Sequence, residues 1–167
     1  MEIRRITEDE VPQVYALMVD VVSRLPSKEL FAMGDEAYLY AHVEELGEIY
    51  GAYEGDKLVA YTVLSFPGQR DWNLGSEFGV PADELDKVAV LEGTIVHESV
   101  RGRGLQRTFT QLREKRARER GSLYLYGTVH PDNTPSRRNL EEAGLTIRFT
   151  RPMYGGNMRH CYAKRLE

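Results

Sequence analysis

Val88-Ala89-Val90-Leu91-Glu92-Gly93-Thr94-Ile95-Val96 is an apolar run broken by Arg101-Gly102-Arg103-Gly104-Leu105-Gln106, which opens a polar, basic pattern of helical period. This reads as strand, glycine turn, helix. Two glycines let the backbone approach an anion with no Cβ in the way, while free N–H groups and the positive end of the helix dipole attract it. The turn is a phosphate cradle, and its two arginines add long-range pull. A Walker loop requires Gly-x4-Gly-Lys-Ser/Thr, which the chain lacks, and the dinucleotide fingerprint requires a third glycine where Arg107 stands. Nucleoside triphosphates and dinucleotides are therefore disfavoured.

Upstream of the central strand, residues 67–86 carry Gly68, Gly75, Gly79 and Pro81 and predict a long connection. It holds Trp72 and Phe78 with Asp71, Glu77, Asp83, Glu84 and Asp86. Aromatics with carboxylates suit a pocket for a cationic substrate; the plainer reading is a solvated excursion. Before it, residues 48–53 and 58–66 flank Glu54-Gly55-Asp56-Lys57 as a β-hairpin. A strand over residues 1–6 precedes a helix whose inward face is Val11, Val14, Met18, Val21, Val22 and Leu25, ending near Pro26. Its start is either a Thr7/Glu10 capping box or an Asp9 cap. Asp35 caps a second helix, with Tyr38, Leu39, His42, Val43 and Leu46, that Gly47 stops.

Downstream, the helix over residues 105–120 turns Leu105, Phe109, Leu112 and Ala117 inward, and Gly121 ends it. Arg113, Lys115, Arg116, Arg118 and Arg120 take the remaining positions and read as a solvated basic face. An RNA- or ribosome-associated role for that face is a rival reading. A strand over 122–129, a helix over 135–143 and closing strands over 145–150 and 160–166 complete an α/β (α+β) fold.

The 167 residues suit a single domain, 1–167, with a core of its own. With 22 basic and 26 acidic side chains, a molecule-wide nucleic-acid surface is disfavoured. Cys161 is the only cysteine, which excludes an internal disulfide framework and a cysteine-rich metal site and fits a reducing, cytoplasmic setting. Glu8-Asp9-Glu10 stands where a secretion signal would be apolar, and no run of about 18 apolar residues occurs. Neither secretion nor a membrane partner is expected.

Together with His130-Pro131-Asp132-Asn133-Thr134-Pro135-Ser136 and Glu142-Ala143-Gly144-Leu145, the turn makes the chain resemble the GNAT family of N-acetyltransferases. The likeness covers most of the chain in element order and is most specific over residues 90–145. It implies an acyl-CoA N-acyltransferase fold: a mixed, mostly antiparallel twisted sheet flanked by helices. The family's pyrophosphate motif falls on Arg101, Gly102, Arg103, Gly104, Leu105 and Gln106, with Gln106 where the family has glycine or alanine. The strand before it is expected to splay from its neighbour and to pair its backbone at Ile95 and Val96 with the pantetheine amide. Asn133 would lie near the pantetheine arm and Ser136 would begin the next helix, although Asn133 also reads as a plain turn or cap residue.

The resemblance further implies acetyl-CoA as acyl donor and direct attack by a primary amine of a small molecule or protein in a ternary complex; no metal is expected, because the sequence has no His/Asp/Glu cluster at ligand spacing. That amine must lose a proton first, so a general base is required. Glu92 is the candidate: it interrupts an apolar strand, where an ionisable group is costly, and alternation puts it on the same face as Thr94. A salt-bridged, edge-facing glutamate is the competing reading. Leu140 stands where the family places its general-acid tyrosine. Tyr126, Tyr154, Tyr162 or water would replace it, and the same gap motivates the alternative of a non-catalytic acyl-CoA-binding or sensing module. His97 and His130 read as turn or surface residues, and Cys161 as a packing residue. The acidic loop hints at a cationic acceptor, and a homodimer stays open.

Overall fold

Runs rich in valine, isoleucine and tyrosine become strands, and the stretches of helical period become helices. In the computed structural model, which describes residues 1–167, the strands are β1 (Glu2–Arg5), β2 (Gly47–Glu54), β3 (Lys57–Ser65), β4 (Val88–Val96), β5 (Tyr124–Val129), β6 (Thr146–Met153) and β7 (Asn157–Arg165). The helices are α1 (Val11–Val22), α2 (Glu36–Glu44), α3 (Leu105–Glu119) and α4 (Thr134–Glu142). One seven-stranded sheet has the order β1-β2-β3-β4-β5-β7-β6. Every pairing is antiparallel except β4–β5, which α3 connects as a parallel crossover. No helix is long and apolar enough to cross a membrane.

Alternation along the strands divides the core between two faces. Tyr61, Val63 and Ile95 pack on α1 and Leu39 of α2. Ala60 and Val96 meet Leu105 and Phe109 of α3, while Leu64, Ala89 and Leu91 meet Ala117 of α3 and Leu140 of α4. The Thr7/Glu10 capping box forms, whereas Asp9 lies inside the turn it caps and does not cap α1, whose N-cap is Glu10. Glu10 accepts from the Thr7 N–H at 3.0 Å across a short 3-10 turn, Glu8–Glu10, and Pro12 then falls in the first turn of α1, where no N–H is missed. β6 and β7 run longer than the sequence suggests and meet at a tight turn over residues 154–156, in which Tyr154 adopts φ 51°.

The long connection is an ordered element. Two 3-10 turns, Gly75–Phe78 and Ala82–Lys87, place Leu74, Phe78 and Leu85 against Val88, Val90 and Tyr126. Buried Asn73 donates to Gly68 O and Leu85 O and accepts from Gly75 N, which ties both ends together.

Two irregularities of β4 shape everything downstream. Leu91 pairs with Leu64 and Thr94 with Thr62, so Glu92 and Gly93 together oppose Val63 in a β-bulge. On its other side, β4 pairs β5 only from Val88 to Val90, opposite Tyr124 to Tyr126, and beyond that the two strands part. The gap between them opens at the bulge.

Candidate active site

A cleft of about 880 Å3 runs through this gap. On one side its wall is built from the turn after β4 and the starts of α3 and α4; on the other, from α1, the α1–α2 connection, Tyr38 and Tyr154.

The turn has the expected geometry. Gly102 and Gly104 take φ of 81° and 75°, which L-residues with a Cβ rarely adopt, and no atom lies within 4 Å of where a Cβ would sit. Conformation, rather than crowding, requires glycine there. No backbone acceptor engages the N–H groups from Gly102 to Gln106, and they precede or open the 15-residue α3. Arg101 lines the cleft and caps Val96 O through Nε at 3.3 Å. Arg103 differs from expectation: it pairs with Glu54 of the hairpin at 2.9 Å and does not line the cleft, where Arg107 does. Gln106 turns its side chain to α4, donating to Ser136 Oγ at 3.1 Å, so it leaves the cradle free while keeping its N–H there. Leu105 packs inward.

Along β4, His97 N–H bonds Val59 O, so the antiparallel alternation commits the Ile95 backbone to β3 and turns that of Thr94 and Val96 toward the cleft. Of the two strand residues expected to face the gap, only Val96 does so. Asn133 is the N-cap of α4, accepting from Ser136 N at 3.3 Å, and it also lines the cleft.

The bulge corrects the expected placement of Glu92. An extra residue in the strand puts Glu92 on the α1 face, with Val88 and Val90, and Thr94 on the α3 face, where its hydroxyl bonds that of Thr62 at 2.6 Å. Glu92 is half-buried in the cleft wall. Burial pushes its carboxyl up to about 7, while the neighbouring Tyr38 hydroxyl and the charge of Arg113 oppose that push. At neutral pH the group is poised between its acid and base forms. Phe31 lies directly over the bulge: a Cβ on Gly93 would come within 2.7 Å of its ring.

Arg113 overturns the reading of a uniformly solvated basic face. It is 3 % exposed, and its Nη1 donates to both Val63 O and Glu92 O at 2.9 Å. These carbonyls flank the bulge, where the regular ladder is interrupted. Thr110 and Asn139 extend the same polar network, with Asn139 donating to Thr110 Oγ1 at 2.7 Å. Arg116 of the same helix and Arg120 just beyond its end meet buried Glu48.

Three expected features lie away from the cleft. The carboxylates of the long connection do not line it; Glu77 pairs with Arg151 and Glu84 accepts from Tyr124. Tyr126 accepts from Leu74 N, and Tyr162 donates to Glu141, so neither reaches the gap. Tyr154 does line it, its hydroxyl 2.9 Å from Thr128 Oγ1 on β5. His97 is held by Ser99 outside the cleft, whereas His130 lines it and accepts from Asp132 N. Cys161 is fully buried, and burial pushes its thiol up to about 12.

The acetyltransferase (GNAT) family profile matches residues 13–145. The chain belongs to this family. Solved structures with the same fold include a Streptococcus mutans protein, 16% identical with 100% of each chain covered and a TM-score of 0.74. A ribosomal-protein-alanine N-acetyltransferase from Brucella melitensis is 18% identical over 99% of this chain and 100% of its own, with a TM-score of 0.72. The putative acetyltransferase yncA of Salmonella typhimurium, solved with acetyl-CoA, is 15% identical over 99% and 94%, with a TM-score of 0.71. A comparison with curated proteins gave no match. Within this GNAT fold, Tyr38, Phe31, Arg107, Arg113 and Arg159 are cleft residues that sequence reasoning did not single out as such.

Proposed function

We propose that the protein is an acetyl-CoA-dependent N-acetyltransferase that acts on a primary amine by direct attack, with Glu92 as general base. The observation that carries this reading is the meeting, in one cleft, of an open N–H cradle and a carboxyl poised near neutrality.

The residues fit the donor. N–H groups from Gly102 to Gln106, with Arg101 and Arg107 nearby, suit a pyrophosphate; the Thr94 and Val96 backbone suits a pantetheine amide in place of the missing β5 partner. The bound thioester supplies an activated acyl carbon. Glu92 takes a proton from the acceptor ammonium, and the freed amine attacks that carbon. A new C–N bond forms, backbone N–H groups near the bulge steady the oxyanion, and the C–S bond breaks as nitrogen gives up its second proton, which passes through Tyr154 or water to the thiolate. Tyr154, the one cleft tyrosine among the three named candidates, stands near enough to the gap to return a proton to the thiolate. Water also suffices for this step, because a thiolate is a fair leaving group near neutral pH.

Leu140 at the usual tyrosine position supports one other reading, a non-catalytic acyl-CoA sensor. Calorimetry with acetyl-CoA, followed by thioester consumption over a panel of primary amines, separates the two. Binding with acceptor-dependent turnover is expected; tight binding without turnover over any amine would establish the sensor.

A further inference from the structure

Arg159, on β7, is 2 % exposed, yet no carboxylate lies within ion-pair distance of it. Its guanidinium lines the cleft, donating to Met158 O at 3.0 Å and to Glu29 O, and it sits 5.5 Å from the Tyr154 ring centroid. The carboxylate of Glu29 is 63 % exposed and lies 3.9 Å from His130 instead. Two carbonyl bonds leave part of a five-donor fork unused and its charge unmatched. Buried guanidinium groups are ordinarily paired, because removing an unmatched charge from water is costly.

Position gives that charge a use. Arg159 shares a strand face with Cys161 and Ala163, which pack against Val88, Val90 and Tyr126, and Glu92 continues the Val88–Val90 face of β4. Both charged groups therefore enter the cleft from the α1 side of the sheet. Tyr154, exposed at the rim of the same cleft, lies beside Arg159. Leu30, Phe31 and Met33 supply apolar wall beside them. A carboxylate and an ammonium carried on one small apolar molecule match this arrangement, and the fork geometry of arginine suits a carboxylate.

Building on the acetyltransfer reading, we propose that the acceptor is an amino-acid-like zwitterion whose ammonium is delivered to Glu92 while Arg159 holds its carboxylate. The cationic end of the acceptor is thus met by Glu92 itself and not by the acidic loop. Specificity for the remainder of the molecule falls to the apolar wall.

Matched pairs test this: L-leucine against 3-methylbutylamine, and L-phenylalanine against phenethylamine, each with acetyl-CoA and thioester consumption as readout. Each amino acid is expected to exceed its decarboxylated partner in kcat/KM by about 100-fold, a preference that Arg159→Gln reduces to a few-fold. Equal or greater rates for the amines, or a preference untouched in Arg159→Gln, would overturn the proposal and mark Arg159 as a strut for the α1–α2 connection. Should that variant not fold, calorimetry on the wild-type CoA complex decides, with N-acetyl-L-leucine expected to bind at least tenfold tighter than N-acetyl-3-methylbutylamine. That binding is independent of turnover. Preferential binding with no turnover would sink the acetyltransfer reading and leave the carboxylate site standing, whereas turnover of plain amines alone would do the reverse.

Discussion

As the proposed base, Glu92 would have to be charged to accept a proton, and it sits where charge is disfavoured; a carboxyl held up to about 7 by burial meets both demands. Only the ionised form acts as base, so activity is expected to rise with pH through about 7 and then level. Glu92→Gln keeps the shape and removes the base. Initial rates in that variant are expected to fall by about 100-fold or more at pH 8 and to lose the acidic limb. A wild-type rate and profile would remove Glu92 from the mechanism. This residue was legible because it interrupts an apolar run. Arg113 carried a signal too: it falls four residues after Phe109 and four before Ala117, on the buried stripe, but its charge masked the period. Arg159 was hidden by placing the last strand's start at His160, which left it outside the inward alternation with Cys161 and Ala163.

At the scale of elements, the bulge decides which side chains enter the cleft, and α3 supports the bulge through Arg113. Regular pairing would shift β4 beyond Leu91 by one residue and exchange the faces of Thr94, Ile95 and Val96. Arg113→Met leaves Val63 O and Glu92 O without their donor. A loss of about 2–4 kcal/mol by urea unfolding is expected, with weaker acetyl-CoA binding by calorimetry because Val96 no longer holds its register. An unchanged urea midpoint would show that the bulge is self-supporting. The glycine turn, α3 and the β2–β3 hairpin were readable from local chemistry, since left-handed glycines and apolar period act within a few residues. The bulge was not, because it depends on what stands opposite β4, and the same strand reads equally well as an unbroken ladder.

Across the whole molecule, two buried carboxylates link the layers: Glu48 joins the sheet to α3 through Arg116 and Arg120, and Glu10 ties the start of α1 to Arg4 and Tyr53. Hydrogen bonds from Arg116 and Arg4, respectively, hold these carboxyls at about 2, below their unfolded range near 4.3. Their contribution is therefore complete above about pH 5 and disappears as pH falls through the carboxylate range toward 2. Urea midpoints are expected to drop steeply over that window, and less steeply in Glu48→Gln; the raised carboxyl of Glu92 works in the opposite sense. A wild-type-like acid slope in Glu48→Gln would remove Glu48 from this account.

The order of the sheet, with β7 inserted between β5 and β6, was not legible, because strand neighbours far apart in sequence leave no local period. Yet that order bears on the proposed kinetics. Splaying β4 from β5 makes one opening with two sides, a cradle beside α3 and α4 and an apolar wall beside α1, which would give the proposed donor and acceptor separate approaches to Glu92. The only thiol is not placed to take the acyl group in between: Cys161 is fully buried, and burial pushes its thiol up to about 12. Initial-rate plots at several fixed donor concentrations should therefore intersect, and intact-mass spectra after incubation with acetyl-CoA alone should show no stoichiometric acetyl adduct. Parallel lines with an adduct of one acetyl group would replace direct attack by a double displacement through a nucleophile other than Cys161.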